Sequence, residues 1–349
     1  MRVHVVADPE GEFGRTLRAA LARKNDSREE PALEITALEI TALEITALEI
    51  TVATEAESAA FVTDAVKVLV SGRPSEALLD AATSLEWVVV PFAGIPRVTA
   101  ERLATRAQLS LTNLHHNAAA TAEHAIALLL AATRRLIPAD RALRAHDWSI
   151  RYDDDPSLIA AGKRALILGV GAIGGRVARV LSALEVEVRG IVRDPAGHAL
   201  ANEISLLPVT ELDSALEEAD LLICTLPETE ETRGLLDARR LALLPNGAVV
   251  VNVGRGAVID EEALFRALEG GSIAAAGIDV WYQYPEGEEA RTDTAPSEYP
   301  FAELENVVLS PHRAGHGRGI EELRAEHLLQ ALDEISRGER NGIDRARGY

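Results

Sequence analysis

A glycine-rich turn at 169–174 is the first stretch of this sequence that could do chemistry. It spells GVGAIG, follows an apolar, strand-like run and leads into a helix-like one. In such a turn the first glycine permits a tight bend, the second lets the backbone approach a pyrophosphate, and the third packs the helix onto the strand. Free amides at the helix start then bind the phosphates. The predicted dinucleotide contacts are Gly169, Gly171, Ala172, Ile173 and Gly174.

The residues after the second strand of this unit decide which nucleotide binds. An acid that holds the adenine ribose is expected roughly 20 residues after the glycines. Val192, Arg193 and Asp194 occupy that place. If Asp194 reaches the ribose hydroxyls, NAD is favoured; if the chain turns at Val192, Arg193 faces a 2′-phosphate and NADP is favoured. We expect an NAD(P) site and slightly favour NADP.

Alternating strands and helices must position these residues, which predicts an α/β protein with two doubly wound parallel sheets. Before a polar break at 153–156, the predicted strands are 3–7, 66–71 and 87–91, with helices at 13–24, 75–83 and 121–135. After it, they are 165–169, 186–192, 221–226, 248–253, 273–278 and 307–310, with a helix at 260–268.

Composition excludes several classes of function. The 349 residues carry 35 basic and 55 acidic side chains, a net charge of −20, which argues against nucleic acid as a partner. Apart from Lys24, Lys67 and Lys163 the basic residues are arginines. Such an acidic, lysine-poor surface suits a salt-rich cytoplasm, although a GC-rich genome would also favour arginine.

Cysteine content and the N-terminal sequence indicate the compartment. Cys224 is the single cysteine, which excludes an internal disulfide, and its apolar surroundings predict a core residue. The start shows no signal peptide, and the most apolar stretch, 118–132, is interrupted by Glu123 and His124. We expect a soluble, cytoplasmic protein with no membrane partner.

Residues 32–51 repeat ALEIT four times. A five-residue period is too short for a solenoid and fits neither a strand nor a helix. One copy alone alternates like a short strand. We interpret 15 of these residues as a tandem expansion within an ordinary strand or its flanking loop; a binding repeat is the alternative.

Four segments resemble the D-isomer-specific 2-hydroxyacid dehydrogenases, a family that includes glyoxylate/hydroxypyruvate reductases and phosphoglycerate dehydrogenases. They are NAAATAEHAIALLLAATRR at 117–135, GVGAIGGRVA at 169–178, VVNVGRGAVIDEEAL at 250–264 and SPHRAGH at 310–316. The resemblance implies a flavodoxin-like substrate domain, 1–113 plus 316–349, into which a Rossmann cofactor domain, 114–315, is inserted. The substrate would lie between them, and the family is commonly dimeric.

The resemblance also assigns roles at the reacting centre. Arg255 matches the arginine that binds the substrate carboxylate, for which a guanidinium offers a bidentate fork. His312 matches the acid/base that protonates the forming alkoxide, because histidine titrates near working pH. Ala93 and Gly94 match a loop whose amides meet the substrate, and Asp279 resembles the acceptor for the nicotinamide carboxamide. Implied cofactor contacts also include Leu226, Pro227, Val253, Gly254 and His312.

One position departs from the family pattern. Tyr284 stands where a glutamate usually pairs with the catalytic histidine. Either Tyr284 serves as a neutral partner, or Glu286 or Glu288 replaces the missing acid, or catalysis is weakened. Without the carboxylate, His312 should hold its proton less tightly.

The sequence therefore predicts an NAD(P)-dependent oxidoreductase that interconverts a 2-oxo acid and a D-2-hydroxy acid. The rival is a cofactor-binding sensor with weakened catalysis. A metal pair of His312 and His316 has no further ligand nearby in sequence, so no metal is expected. The apolar helix 121–135 either contacts a second subunit or packs within one chain.

Overall fold

The computed structural model describes residues 1–26, 43–45, 48–58, 65–152, 157–196, 198–200 and 202–343. The chain forms two compact units, Met1–Asn117 with Gly317–Tyr349, and Ala118–His316. The boundaries expected from the sequence, 113/114 and 315/316, lie within a few residues of these. The polar break expected at 153–156 falls outside the described residues.

The first unit is built on a sheet of six strands. These are β1 (Arg2–Val6), β2 (Leu43–Ile45), β3 (Leu48–Ala53), β4 (Val66–Val70), β5 (Trp87–Val90) and β6 (Ser110–Asn113). They lie in the order β2-β3-β1-β4-β5-β6 and run parallel except for β2, which pairs antiparallel with β3. Without that edge strand the order is the flavodoxin-like one. The predicted fold class is confirmed for this unit, with an antiparallel edge added.

Helices cover both faces of this sheet. They are α1 (Glu12–Asp26), α2 (Glu55–Ser58), α3 (Glu76–Ala81), α4 (Arg97–Ala104) and the C-terminal helix Ile320–Ser336. Val3 and Val5 of β1 point to one face, where they pack on Leu17 of α1 and on Leu328 and Leu332 of the C-terminal helix. Both faces are apolar because parallel strands are buried on both sides.

The repeat contributes the edge of this sheet. The third ALEIT copy contains β2 and the fourth contains the first part of β3, with Leu43 opposite Ile50 and Ile45 opposite Leu48. The first two copies fall outside the described residues. The sequence predicts a tandem expansion within an ordinary strand or its flanking loop. In the structure the last copy is the strand beside β1, and the copy before it folds back as a second strand.

The second unit is built on seven parallel strands. These are β7 (Arg164–Leu168), β8 (Glu187–Val192), β9 (Ser205–Pro208), β10 (Leu221–Cys224), β11 (Ala248–Asn252), β12 (Ile273–Ile278) and β13 (Val307–Leu309). Their order is β13-β12-β11-β10-β7-β8-β9. The order reverses between β7 and β10, as in a Rossmann sheet, and ligands of such sheets bind at the carboxyl ends of the strands beside this reversal.

Helices α5 (Ala118–Thr133), α6 (Leu136–Arg144), α7 (Gly174–Ala183), α8 (Leu212–Leu216), α9 (Ala238–Leu241) and α10 (Glu261–Glu269) belong to this unit. The apolar helix α5 packs within the chain, on β11, β12 and α7. Gly277 of β12 permits the approach, because a Cβ there would lie 2.8 Å from the Cβ of Leu128. Helix α10 begins at Asp260, whose side chain accepts from the Ala263 amide at 2.9 Å.

Candidate active site

The glycine turn between β7 and α7 has the shape that a pyrophosphate requires. Gly169 has a left-handed φ of 88°, and a Cβ on Gly174 would lie 2.1 Å from the Gly169 carbonyl oxygen. Around Gly171 a Cβ would meet nothing within 4 Å, so the turn is open on that side. Ile173, at the start of α7, makes no side-chain capping bond. The turn thus leaves backbone amides at a helix N-terminus for an anion, and it fits a dinucleotide.

The strand that precedes the nucleotide-selecting residues, β8, ends at Val192. Arg193 is the next residue, and its Nη2 lies 2.9 Å from the Glu231 carboxylate. The Asp194 carboxylate accepts from the Ala196 amide at 3.1 Å and so closes its own turn. The strand therefore ends directly before the two residues, Arg193 and Asp194, between which the sequence leaves the choice of nucleotide.

Two loops beside the glycine turn approach each other closely. Leu226 and Pro227 follow β10, and Val253 and Gly254 follow β11. A Cβ on Gly254 would lie 2.4 Å from the Leu226 carbonyl oxygen, so glycine is required for this approach. The four residues lie at the carboxyl ends of neighbouring parallel strands, where the sequence predicts cofactor contacts.

Asn252 shapes the loop that carries Arg255, a role that the sequence analysis missed. Its side-chain oxygen accepts from the Gly254 amide and its amide donates to the Arg255 carbonyl, both at 3.1 Å. Asn252 is buried at the end of β11. A buried asparagine at the end of an otherwise apolar strand is the pattern that would have indicated it.

Arg255 is a desolvated cation. Its Nη1 donates to the Gly254 carbonyl at 2.6 Å, and burial lowers the pKa of its guanidinium. The nearby acid Glu228 forms its ion pair with Arg233. Within the described part of the chain no carboxylate lies within ion-pair distance of Arg255. A guanidinium in this state is suited to a carboxylate ligand.

His312 is held in an uncommon backbone conformation. Its φ is 52°, in the left-handed region, and its amide donates to the Ser310 carbonyl at 3.1 Å. Desolvation and the Arg255 charge lower the pKa of its imidazole, while the Asp279 charge raises it. The lowered pKa agrees in direction with the expectation for a histidine without its usual glutamate.

Asp279 holds the His312 loop in place. Its carboxylate accepts from the Ser310 hydroxyl at 2.5 Å and from the Arg313 and Ala314 amides at 2.9 Å each. The side chain is 1% exposed. The contact to a nicotinamide carboxamide, expected from the sequence, stays a prediction; the contacts in the structure are to the loop.

Tyr284 lies beside His312 and contacts it through its ring. The two ring centroids are 5.4 Å apart and tilted by 55°. The tyrosine hydroxyl accepts from the Trp281 amide at 3.0 Å, and burial raises the pKa of the phenol. Glu288 ion-pairs with Arg291 at 2.8 Å. The acid whose charge raises the pKa of His312 is thus Asp279, on the preceding strand end.

The remaining candidates are placed as follows. Ala93 and Gly94 follow β5 in the first unit, and the Asn113 side chain donates to the Ala93 carbonyl at 2.5 Å. Cys224 is buried in β10, which raises the pKa of its thiol to about 12 and leaves it unreactive. No cluster of three metal-ligating side chains and no helix able to cross a membrane occurs in the described ranges.

The sequence matches the family model described as D-isomer specific 2-hydroxyacid dehydrogenase, NAD binding domain, over residues 126–314. This chain belongs to the D-isomer specific 2-hydroxyacid dehydrogenases. Its glycine turn, the Arg255 loop and the His312 loop all lie in the matched range.

Members of this dehydrogenase family resemble the chain over most of its length. A glyoxylate reductase from Aeropyrum pernix is 34% identical over 284 residues, 80% of each chain. A D-3-phosphoglycerate dehydrogenase from Archaeoglobus fulgidus is 31% identical over 242 residues, which are 69% of this chain and 43% of that protein. The chain thus spans less than half the length of the phosphoglycerate dehydrogenases that it matches.

Solved dehydrogenase structures share the whole fold. The D-isomer specific 2-hydroxyacid dehydrogenase from Xanthobacter autotrophicus Py2, in complex with NADPH and MES, has a TM-score of 0.75 at 25% identity and covers 100% of this chain. An NADPH-dependent glyoxylate/hydroxypyruvate reductase from Sinorhizobium meliloti has a TM-score of 0.69 at 27% identity and covers 99% of it.

Proposed function

We propose that this chain is an NAD(P)-dependent oxidoreductase that interconverts a 2-oxo acid and a D-2-hydroxy acid. Arg255 holds the substrate carboxylate and His312 exchanges a proton with the substrate oxygen. The bound nicotinamide supplies or accepts the hydride. Family membership and a glycine turn that fits a dinucleotide support the cofactor.

The observation that carries this proposal is the state of Arg255. A largely desolvated guanidinium without an ion-pair partner among the described residues is costly unless an anion completes it. A 2-oxo acid brings a carboxylate next to its carbonyl. Because the Arg255 charge acts on His312, a carboxylate on the guanidinium would bring that carbonyl towards the imidazole.

His312 supplies the proton during reduction. As the carbonyl carbon gains hydride, its oxygen gains negative charge and takes the proton from the imidazolium. Bound carboxylate would offset the Arg255 charge, which lowers the pKa of His312 in the free protein. Substrate binding thus favours the protonated form that reduction needs. Tyr284 lies against the ring and limits its movement.

A spectrophotometric screen tests the function. Purified protein with NADPH or NADH is given glyoxylate, hydroxypyruvate, pyruvate and longer 2-oxo acids, and oxidation of the cofactor is followed. We expect turnover of at least one acid and a product of D configuration. Tight cofactor binding without turnover of any of these acids would refute the proposal and favour the cofactor-binding sensor.

We further propose that NADP is the preferred cofactor and that Arg193 selects it. The strand ends directly before Arg193, whereas Asp194 is engaged in its own turn. Arg193→Ala should lower kcat/KM for NADPH by about tenfold and leave that for NADH nearly unchanged. Arg179→Ala, which removes an exposed arginine paired with Glu203, is the matched control. A wild-type preference for NADH would contradict this assignment.

We also propose a homodimer that uses the surface of α6. None of its residues is buried, and apolar side chains on and after it are exposed, namely Leu136, Ile137, Leu143, Trp148 and Tyr152. In a chain of net charge −20, the segment 134–151 carries five arginines against two aspartates, so it complements the acidic surface of a second copy. Light scattering should give a dimer, and Trp148→Asp should shift it to the monomer. A monomeric wild type would overturn this.

A further inference from the structure

A hydrogen-bonded chain links helix α5 to the loop that carries His312. The His124 Nε2 lies 2.8 Å from the Ser310 hydroxyl, across 186 positions of sequence. That hydroxyl donates to Asp279 Oδ1 at 2.5 Å. None of these three side chains touches the reacting atoms in the proposed function, and neither His124 nor Ser310 has a role that the sequence predicts.

Asp279 fixes which groups donate and which accept along the hydrogen-bonded series His124–Ser310–Asp279. As a carboxylate, Asp279 only accepts, and the single proton of the Ser310 hydroxyl is directed to it. The Ser310 oxygen is then left to accept, so the His124 Nε2 must carry a hydrogen. The His124 Nε2 lies 3.6 Å from Asp279 Oδ1.

Asp279 depends on this support because its charge is buried. At 1% exposure it has no arginine or lysine within ion-pair distance in the part of the chain that the structure describes. Two backbone amides and the Ser310 hydroxyl stabilise it directly. Loss of one such donor costs a buried carboxylate more free energy than it costs a neutral acceptor.

The same bonds fix the backbone on both sides of His312. The amides of Arg313 and Ala314 are tied to Asp279, and the Ser310 carbonyl accepts from the His312 amide and from the Trp281 indole at 2.8 Å. A left-handed, non-glycine residue persists only where its surroundings over-determine it. The hydrogen bonds of Asp279 provide this stabilisation for His312, whose φ is 52°.

We propose that His124 and Ser310 are positioning residues for catalysis. His124 donates a hydrogen bond to the Ser310 hydroxyl, and Ser310 donates one to Asp279. Through Asp279, the two residues hold His312 in the conformation that places its imidazole beside Arg255. This inference rests on the proposed function, in which His312 is the acid/base.

The test compares His124→Leu, which removes the donor, with His124→Gln, whose amide restores one at a similar reach. Ser310→Ala removes the hydroxyl donor to Asp279 and Ser310→Thr keeps it. This second pair tests the inference if the leucine variant fails to fold. Glu123→Gln, an exposed neighbour on α5, is the matched control. The measurements are kcat and KM for the best acid of the screen, the melting temperature, the Kd for NADPH, and the pKa of His312 by NMR of histidine-labelled apoprotein, assigned with His312→Asn.

We expect His124→Leu and Ser310→Ala to lower kcat by about tenfold while KM changes much less. The NMR pKa of His312 should rise towards its ordinary value, because the ring leaves its desolvated place beside Arg255. The glutamine and threonine variants should recover most of both properties. Cofactor Kd should stay within about threefold of the wild type.

An unchanged or lowered pKa of His312 in the leucine and alanine variants would overturn the inference. So would an equal loss of kcat in the glutamine and leucine variants, since that would mean a packing role only. Failure of the proposed function is a separate result: it would appear as no turnover of any acid in the screen, or as full activity in His312→Asn, whatever His124 does.

Discussion

Replacing Tyr284 by glutamate restores a carboxylate next to the imidazole of His312. The centroids of the Tyr284 and His312 rings are 5.4 Å apart in the wild type, and we take this as the distance between the new carboxylate and the imidazolium. At that separation opposite unit charges attract by ~3 kcal/mol at an effective dielectric constant of ~20 and by ~0.8 kcal/mol in water. Tyr284 is 45% exposed, so the true value lies between these limits. At 1.36 kcal/mol per pKa unit, we expect the pKa of His312 to rise by about one unit.

The sign of the effect on rate follows from the direction of proton transfer. Reduction requires protonated His312, so its rate falls as pH rises through the pKa of the imidazole. A raised pKa moves that alkaline limb of kcat/KM to higher pH, and the reverse oxidation, which requires the neutral ring, loses rate at low pH. Because the new carboxylate is partly exposed, 1 M salt should reduce the displacement.

The assay is a pH profile of kcat/KM for the best 2-oxo acid, for wild type, Tyr284→Glu and Tyr284→Gln. The glutamine variant has the size of the glutamate variant without its charge, and it separates electrostatics from loss of the tyrosine ring. If both variants share one alkaline limb, a carboxylate at this position does not act on His312, and the reasoning is wrong.

Three other substitutions, one of them with a matched control, test His312, Arg255 and His116. His312→Asn should lower kcat by about a thousandfold with NADPH affinity, measured by fluorescence, nearly unchanged; an active variant would contradict the acid/base role. Arg255→Lys should lower kcat/KM for the acid by about a hundredfold, because a lysine cannot bind a carboxylate in a bidentate way. As a control, Arg266→Lys on the exposed face of α10 should leave kcat/KM unchanged. His116 is 4% exposed, and burial lowers its pKa to about 4, so the unfolded chain takes up its proton first as pH falls. Stability should therefore be complete above about pH 6.5 and decrease towards pH 4, by up to ~3 kcal/mol from this residue, and denaturant unfolding of His116→Gln should show a weaker pH dependence.

The features of this protein that the sequence predicts are those with a local cause. The glycines at 169–174 are required by a turn of six residues, so their pattern and its flanking strand and helix predict the nucleotide-binding turn without long-range information. Strands β1, β7 and β12 are dominated by apolar residues, and their bounds agree with the prediction to within one residue.

The missed strands have weaker patterns. Strand β6 reads SLTN and β9 reads SLLP, each four residues with little alternation, and neither is among the predicted strands. Their place in the sheets depends on pairing with β5 and β8, and such pairing is set by tertiary packing more than by propensity. Helix α5 shows the same limit, because its apolar face suits a subunit contact or internal packing equally well. Its packing on β11, β12 and α7, which are distant in sequence, places it inside the chain.

The site shows why residue roles are harder to predict than residue identities. Asp279 follows a strand, and the family resemblance implies a cofactor contact for it. Its hydrogen bonds to Arg313 and Ala314 join residues more than 30 positions apart, and no spacing rule encodes them. The left-handed φ of His312 is likewise a product of these distant bonds, because an isolated Pro-His-Arg segment has no reason to adopt it.

The strand pair β2–β3 at the edge of the first sheet can keep its sequence when the number of repeat units changes. The four ALEIT units are identical, and β3 is anchored through Val52 and Ala53, which follow the last unit and pair with β1. Counted back from Val52, the loss or gain of a unit by replication slippage leaves the same residues in β3 and β2 as long as two units remain. A fifteen-nucleotide insertion or deletion here keeps the reading frame and leaves every strand pairing with its original sequence. The described pairing of β2, β3 and β1 therefore depends on the last two units and on Val52 and Ala53, whatever number of units precedes them.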